Sequence, residues 1–190
     1  MTDTTTPTPL FARTIAAALP LLARLTFAAV LLRYYWGSAL TKVGEGPLGL
    51  FRPSAGAYAQ IFPNGFAAAG YDPSQLTVFH WAVAVGGMWA EFLLPLAIVL
   101  GLYTRLAAFG MIGFVAIQTF TDLFGHGILA HAPTLGAWFD RAPDGAILDQ
   151  RMLWIVLLLT LVDRGGGPLS LDALLRSAPA LRPASRQPAP

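Results

Sequence analysis

The feature that most constrains this chain is an apolar run of 24 residues, His80 to Tyr103, with one acid near its centre, Glu91. As a helix the run is about 36 Å long, enough to cross a hydrocarbon core of about 30 Å. An ionisable group at that depth costs about 2–3 kcal/mol or more unless it is paired or neutralised. The run therefore predicts a membrane-spanning helix in which Glu91 has a charged partner, a proton path or a bound polar ligand.

Composition also indicates an integral membrane protein. Only 12% of the 190 residues are charged, whereas soluble domains carry about 25%. The formal net charge of +2 is too small to indicate a nucleic-acid partner. Cysteine is absent, which excludes disulfides and iron–sulfur ligation by this chain.

Four apolar segments predict an all-α fold, a four-helix transmembrane bundle. The second and third segments are separated only by Thr104 and Arg105, which requires an antiparallel helical hairpin. The fourth is the weakest, because its purely apolar part runs only from Met152 to Val162. The predicted spans are residues 21–40, 78–103, 106–124 and 146–162.

The remaining residues are predicted to lie outside the bilayer. We expect residues 1–13 and 179–190 to be disordered tails around a domain of residues 14–178. Short surface helices are expected in the first long loop and at the C-terminus. Seven basic residues flank the spans on one side and four on the other, which predicts that both termini are cytoplasmic in the inner membrane of a bacterial cell.

Three polar residues on three predicted spans fall at one depth. Counting 1.5 Å per residue from the inner membrane edge puts Arg33, Glu91 and Gln118 each at about 18 Å. This alignment predicts a buried Arg33–Glu91 ion pair with Gln118 as a hydrogen-bond partner. The pair has two interpretations, a structural contact that fixes helix register or a polar pocket for the head of a lipophilic ligand such as a quinone.

The second segment carries further candidates for packing and for a pocket. Ala82, Gly86 and Ala90 are spaced by four and predict a face on which a neighbouring helix packs closely. Trp89, two residues before Glu91, is a candidate wall of a ligand pocket, although packing is the more common role of such a residue.

The third segment continues with Gln118, Asp122 and His126, which share one helical face. Asp122 is thereby a further candidate for ligand binding near Gln118. Together with His80 and His131 at the same end of the bundle, Asp122 and His126 give four weak candidate metal ligands. Their spacing matches no metal motif, so no metal is predicted and hydrogen-bonded interfacial histidines are favoured.

Several motifs resemble those of the DoxX family. Residues 101–108 read Gly-Leu-Tyr-Thr-Arg-Leu-Ala-Ala, residues 38–42 read Ser-Ala-Leu-Thr-Lys, and residues 165–172 read Gly-Gly-Gly-Pro-Leu-Ser-Leu-Asp. They are similar to the family's hairpin motif, to the end of its first helix and to its closing glycine-rich signature. The motif residues are Lys42, Glu91, Gly101, Thr104, Arg105, Ser170 and Asp172.

The resemblance implies a small four-helix inner-membrane protein associated with redox chemistry. One branch of the family is the quinone-reducing membrane subunit of thiosulfate:quinone oxidoreductase. We therefore expect a quinone-linked subunit with a protein partner, in which Glu91, Trp89, Gln118 and Asp122 hold the quinone. Glu91 would accept or deliver the proton of the quinone, Arg33 would polarise a carbonyl oxygen of the quinone, and Gln118 would donate a hydrogen bond to it.

Two other functions stay open at this point. The chain has no motif for haem, flavin or an iron–sulfur cluster, so electrons would come from the partner or from substrate. A non-catalytic membrane anchor or scaffold for a redox, detoxification or metal-handling complex is one alternative. A small-solute or metal transporter is the other, and a homo-oligomer is compatible with each function.

Overall fold

The computed structural model describes residues 10–177, and every regular element within them is helical. Residues 1–9 and 178–190, most of the two predicted tails, lie outside the described residues. In chain order the helices are α1 (Leu10–Lys42), α2 (Ala55–Ile61), α3 (Pro63–Ala68), α4 (Val78–Leu100), α5 (Thr104–Gly125), α6 (Ala132–Leu135), α7 (Leu148–Arg164) and α8 (Leu171–Ser177).

Three of these helices are long and apolar enough to cross a membrane. They are α1 with 33 residues, α4 with 23 and α5 with 22. Their outward faces expose large apolar side chains such as Leu93, Leu106, Phe109 and Ile117, as expected for helices surrounded by lipid. The chain is therefore a multi-pass membrane protein.

Helix α1 is longer than its predicted span and is not a regular α-helix throughout. It begins at Leu10, so residues 10–13 are helical although the sequence assigned them to a disordered tail. A π-helical segment, Ala28–Leu32, lies between its two α-helical parts. Because a π segment adds a residue to a turn, it rotates every later residue about the helix axis, beginning with Arg33.

Helices α4 and α5 form an antiparallel hairpin within three residues of the predicted bounds. Helix α4 ends at Leu100 and is followed by Gly101, whose φ of +70° is the left-handed conformation that glycine adopts without strain. A Cβ at this position would lie only 2.5 Å from the Cβ of Ser170. The turn thus depends on glycine both for its backbone conformation and for the close approach of the C-terminal segment.

Helix α7 packs along α5 and against α1, although its 17 residues leave it outside the three candidate spans. The main hydrophobic core lies where α1, α4, α5 and α7 meet. Its largest fully buried members are Phe27, Leu31, Tyr35, Ile98, Met111, Val115, Leu158 and Leu161.

The first long loop is folded onto the ends of α1 and α4. Ser54 caps α2 by accepting a hydrogen bond from the Ala57 amide at 3.2 Å, and its hydroxyl donates to the Thr41 carbonyl at 2.9 Å. Gln60 donates to the Thr41 hydroxyl at 3.0 Å. These contacts hold α2 beside the end of α1 at which Lys42 lies.

Candidate functional site

The buried acid Glu91 is paired with Lys42. The Lys42 Nζ lies 3.0 Å from Glu91 Oε1 and 2.9 Å from Oε2, and the two residues are only 4% and 3% exposed. Ser38 completes the group, because its hydroxyl donates to Glu91 Oε1 at 2.9 Å and accepts from Lys42 Nζ at 2.7 Å. The charge on Glu91 is thus offset by a neighbouring cation, as its depth required.

The local geometry of α1 explains why Lys42 reaches this position. Ser38 and Lys42 are four residues apart and therefore share a face of the helix. Side chains on a helix lean toward its N-terminus, and the lysine stem is long enough to carry Nζ back by one turn to Ser38. There it meets Glu91 on the facing helix α4.

The predicted Arg33–Glu91 pair is wrong. Arg33 is exposed, and the partner of Glu91 lies nine residues later on the same helix, at Lys42. Arg33 directly follows the π-helical segment of α1, which the depth calculation did not include. Gln118 is not bonded to Glu91 either, since its Nε2 donates to the Tyr34 hydroxyl at 2.8 Å.

Gln118 and Glu91 nevertheless line the same cavity, which has a volume of about 550 Å³. The cavity lies between α1, α4 and α5, and Gln60 and Ile61 of α2 cover it. Its volume falls within the range of about 300–1,000 Å³ that is usual for small-molecule sites. Apolar wall residues include Val83, Phe114 and Ile117, whereas polar ones include Tyr34, Ser38, Lys42, Glu91, Gln118, Thr121, Asp122 and His126.

Small residues on α4 create this space. The sequence predicted that Ala82, Gly86 and Ala90 would form a helix-packing face, but Gly86 and Ala90 line the cavity. A Cβ added at Gly86 would meet no other atom within 4 Å. The packing prediction is therefore wrong for Gly86, and both residues border the space beside the ion pair.

A second ion pair borders the cavity at Asp122. Arg151 of α7 is 6% exposed, and its guanidinium contacts the Asp122 carboxylate through Nη2 and donates to the Thr119 hydroxyl at 2.8 Å through Nη1. The Asp122 side chain is 26% exposed. Arg151 was missed as a site residue, because its only sequence signal is one cation at the start of a short apolar segment.

Two polar atoms near this pair are buried without a hydrogen-bond partner in the described part of the chain. They are Gln118 Oε1 and Arg151 Nε. Buried polar atoms usually have partners, so this end of the cavity is incompletely satisfied. Tyr35, in the adjoining core, carries a third such atom in its hydroxyl group.

Trp89 does not line the cavity. Its indole nitrogen donates to the Leu50 carbonyl at 3.2 Å, and its ring packs on Phe51 with centroids 6.0 Å apart. The prediction of Trp89 as a pocket wall is therefore wrong. Its role is to fix the first long loop against α4.

The four weak metal candidates have separate surroundings. His80 contacts Thr77 at the start of α4, with 2.8 Å between Nδ1 and the hydroxyl oxygen. His126 Nε2 lies 3.0 Å from the Gln60 carbonyl oxygen and, like Asp122, lines the cavity. Among residues 10–177, no three or more His, Cys, Asp or Glu side chains are placed to hold a metal ion together. His131 is exposed in the following loop.

The remaining motif residues gather at the opposite end of the molecule, around the α4–α5 turn. Asp172 accepts hydrogen bonds from the Tyr103 amide at 2.7 Å, the Thr104 amide at 2.9 Å and the Thr104 hydroxyl at 2.7 Å. Burial alone would raise the pKa of Asp172, but these bonds and the nearby Arg176 outweigh it and hold the pKa below its ordinary value. Ser170 caps α8 by accepting from the Ala173 amide at 3.2 Å.

Arg24 secures the same end from inside. It is 7% exposed and donates to four carbonyls at 2.6–3.1 Å, belonging to Ile98, Val99, Gly166 and Leu169. These bonds tie the last turn of α4 to the segment before α8. Arg105 is exposed beside this cluster. Gly101, Thr104, Ser170 and Asp172 thus serve to close the fold, while Lys42 belongs to the cavity.

Comparison with known proteins gives one match. The family model described as DoxX matches residues 19–123, a range that contains the Lys42–Glu91 pair and all the residues that line the cavity up to Asp122. No curated protein and no solved structure matches the chain.

Proposed function

The chain belongs to the DoxX family, and we propose that it is a redox-associated membrane subunit whose cavity binds the ring of a quinone. The cavity itself is the observation that carries this proposal. It lies among three candidate membrane spans, as expected for the site of a lipophilic molecule. Its wall combines apolar and aromatic side chains with a few polar groups, the usual character of a small-molecule site.

In this function the ion pair at Glu91 handles protons. Reduction of a quinone to a quinol takes two electrons and two protons. Glu91 and Lys42 can pass a proton because they share hydrogen bonds with each other and with Ser38. The chain carries no haem, flavin or iron–sulfur motif, so the electrons would come from a protein partner or directly from substrate.

The proposed topology has four spans, with α7 as the fourth. Seventeen helical residues extend about 26 Å, and α7 packs along α5 and α1. An even number of spans places both termini on one side, and the excess of basic residues on that side supports the cytoplasm of a bacterial cell. In this orientation α2 and the cavity end near Asp122 lie toward the periplasm.

Ligand binding can be tested with the full-length chain purified in mild detergent. We expect decylubiquinone to raise the thermal unfolding temperature of the wild-type protein. Gly86→Leu should abolish this rise, because the added side chain extends into the cavity without a clash at its Cβ. Gly113→Leu is the matched control, since Gly113 is exposed on α5, its Cβ position is equally open, and it does not line the cavity.

The outcomes separate binding in the cavity from dissolution of the probe in detergent. No temperature rise in the wild type contradicts the proposal. A rise that persists in Gly86→Leu shows that decylubiquinone binds elsewhere. A rise that is kept in Gly113→Leu and lost in Gly86→Leu supports the cavity.

A non-catalytic anchor or scaffold is the second candidate, and one observation favours it. Lys42, Glu91 and Ser38 satisfy one another so fully that they need no ligand to be stable. A Lys42→Met/Glu91→Leu double variant distinguishes the two functions. If the folded double variant binds decylubiquinone as the wild type does and supports the same cellular activity, the pair is structural and the scaffold is favoured.

A further inference from the structure

The two ends of the cavity differ in what they offer a ligand. At the Glu91 end the hydrogen bonds are already made within the protein. Glu91 Oε1 accepts from both Ser38 and Lys42, Oε2 accepts from Lys42, and Lys42 Nζ contacts only Ser38 and Glu91 among residues 10–177. A ligand at this end must compete with a buried ion pair.

The other end presents free hydrogen-bond acceptors. Gln118 Oε1 is buried and has no partner within residues 10–177. Asp122 is held by Arg151 through Oδ2, and no hydrogen bond from the described residues reaches its Oδ1. Gln118 and Asp122 are one helical turn apart on α5, and both line the cavity.

The backbone positions of Gln118 and Asp122 lie farther from the α4–α5 turn than that of Glu91. Leu94 Cδ2 is 3.2 Å from where a Cβ of Gly110 would be. Leu94 of α4 and Gly110 of α5 therefore lie at about the same level along the two helices. Because the helices are antiparallel, Glu91 is level with residue 113. At about 1.5 Å per residue, the Cα atom of Gln118 then lies about 8 Å farther from the hairpin turn than that of Glu91. Asp122, in the π-helical segment Thr121–Gly125, lies farther still along the helix.

The chemistry of these atoms defines their partner. A carboxylate and an amide oxygen accept hydrogen bonds and cannot donate them, so the ligand group between them must be a donor. Arg151 already offsets the charge of Asp122, which favours a neutral hydroxyl over a cation. The aromatic side chains of Tyr34 and Phe114 on the same wall suit a ring.

We propose that Gln118 and Asp122 form the ligand-binding end of the cavity and that it binds the hydroxyl-bearing, reduced form of a quinone in preference to the oxidised form. This inference rests on the proposed function. A quinone ring offers only acceptors, whereas its hydroquinone can donate to Asp122 Oδ1 and Gln118 Oε1. A preference for the reduced form also favours reduction of a quinone bound in the cavity.

Three probes with the same decyl chain test the preference. They are a decyl benzoquinone, its hydroquinone, and the dimethyl ether of that hydroquinone, which keeps the ring and lacks both donors. Their Kd values are measured by calorimetry on the detergent-solubilised full chain without oxygen. A hydrogen bond to a charged group corresponds to roughly a tenfold or larger change in Kd, so the hydroquinone should bind at least about tenfold tighter than the other two.

The results distinguish this inference from the proposed function. Equal Kd values for the hydroquinone and the benzoquinone overturn the inference and leave quinone binding in place. A dimethyl ether that binds as tightly as the hydroquinone also overturns it. No binding of any probe overturns both.

Variants locate the preference within the cavity. Gln118→Leu and Asp122→Asn, tested separately, should each reduce the hydroquinone-to-benzoquinone preference severalfold. Ser38→Ala, at the Glu91 end, is the matched control and should change the two Kd values by the same factor. A preference that is lost in Ser38→Ala and kept in Gln118→Leu places the donor site at Glu91 and contradicts the inference. If Asp122→Asn does not fold, Gln118→Leu and the three wild-type Kd values still decide.

Discussion

Two ion pairs border one cavity, and they differ in how completely the protein satisfies them. Lys42 and Glu91 have side chains 5% and 4% exposed and, with Ser38, use nearly all their hydrogen-bonding capacity on one another. Arg151 and Asp122 have side chains 8% and 26% exposed, and atoms of both are unpartnered within residues 10–177. A buried charge in a membrane span needs a counter-charge or hydrogen-bond partner, but another residue of the same protein can supply it. The less complete pair is the better candidate for contact with a ligand.

The largest expected effect comes from breaking the pair at Glu91. Glu91→Leu leaves the Lys42 ammonium buried without its anion, and removal of one member of a buried pair costs about 3–5 kcal/mol. Lys42→Met should cost a similar amount, because it leaves the Glu91 carboxylate buried without its cation. The free energy of unfolding, measured by titration of a mild-detergent sample with dodecyl sulfate, gives the loss directly.

The Lys42→Met/Glu91→Leu double variant is the control for this loss. Replacing a whole buried pair with apolar residues is often close to neutral, so the double variant should recover most of the stability that either single change removes. If the double variant is as unstable as the two losses added together, the pair is not an isolated, self-satisfied unit.

A smaller loss is expected from the second pair. Arg151→Met removes the cation and keeps much of the side-chain volume, while the Asp122 side chain is already 26% exposed. We expect a loss of about 1–2 kcal/mol in the free energy of unfolding, measured in the same titration. A loss as large as that of Glu91→Leu would show that the protein depends on the two ion pairs equally.

A third carboxylate, Asp172, extends the comparison to a group that accepts three hydrogen bonds and, within residues 10–177, forms no salt bridge. The pKa of Asp172 is held below the ordinary value of 3.8 in the folded protein. As the pH falls, Asp172 is therefore protonated at a higher pH in the unfolded chain than in the folded one. The stabilisation is therefore complete above about pH 5 and is lost as the pH falls through 3.8 toward the folded-state pKa. At pH 7, Asp172→Asn should lose about 1–2 kcal/mol.

The difference between the wild type and Asp172→Asn isolates this group, because the other acids titrate in both proteins. Thermal unfolding from pH 3 to pH 7 should show the difference shrinking as the pH falls below about 4. A difference that stays constant across this range would mean that the three hydrogen bonds to Asp172 do not depend on its charge.

The fold is largely predictable from the sequence, because hydropathy and helix length decide where a chain can cross a bilayer. Helices α4 and α5 lie within three residues of their predicted bounds, and the two-residue link Thr104–Arg105 leaves no other arrangement than a hairpin. The cost of a charge in lipid also marked Glu91 as a residue that needs a partner. Family membership was also predictable, because the hairpin, first-helix and glycine-rich motifs can be read directly from the sequence.

The partners of the charged residues were not predictable in the same way. Residue counting placed Arg33 level with Glu91, but it assumes a regular α-helix, and α1 contains a π-helical segment directly before Arg33. A lysine side chain also acts a full turn away from its own Cα, so Lys42 reaches Glu91 from the end of α1. The pairing of Asp122 with Arg151 joins residues 29 positions apart, and only the packing of α7 on α5 brings them together.

The role of the small residues on α4 leads to the smallest predicted effect. A stripe of glycine and alanine fits either a packed helix or a cavity, and sequence alone does not choose between them. In the structure a Cβ at Gly86 meets nothing within 4 Å, whereas one at Gly110 lies 3.2 Å from Leu94 Cδ2. Gly86→Ala should therefore raise the free energy of unfolding by about 0.5–1 kcal/mol, because alanine leaves the unfolded chain less backbone freedom than glycine does. Gly110→Ala should stabilise the protein less or destabilise it. If Gly86→Ala destabilises the protein in the dodecyl sulfate titration, a helix packs against Gly86, and the space between the two ion pairs is closed.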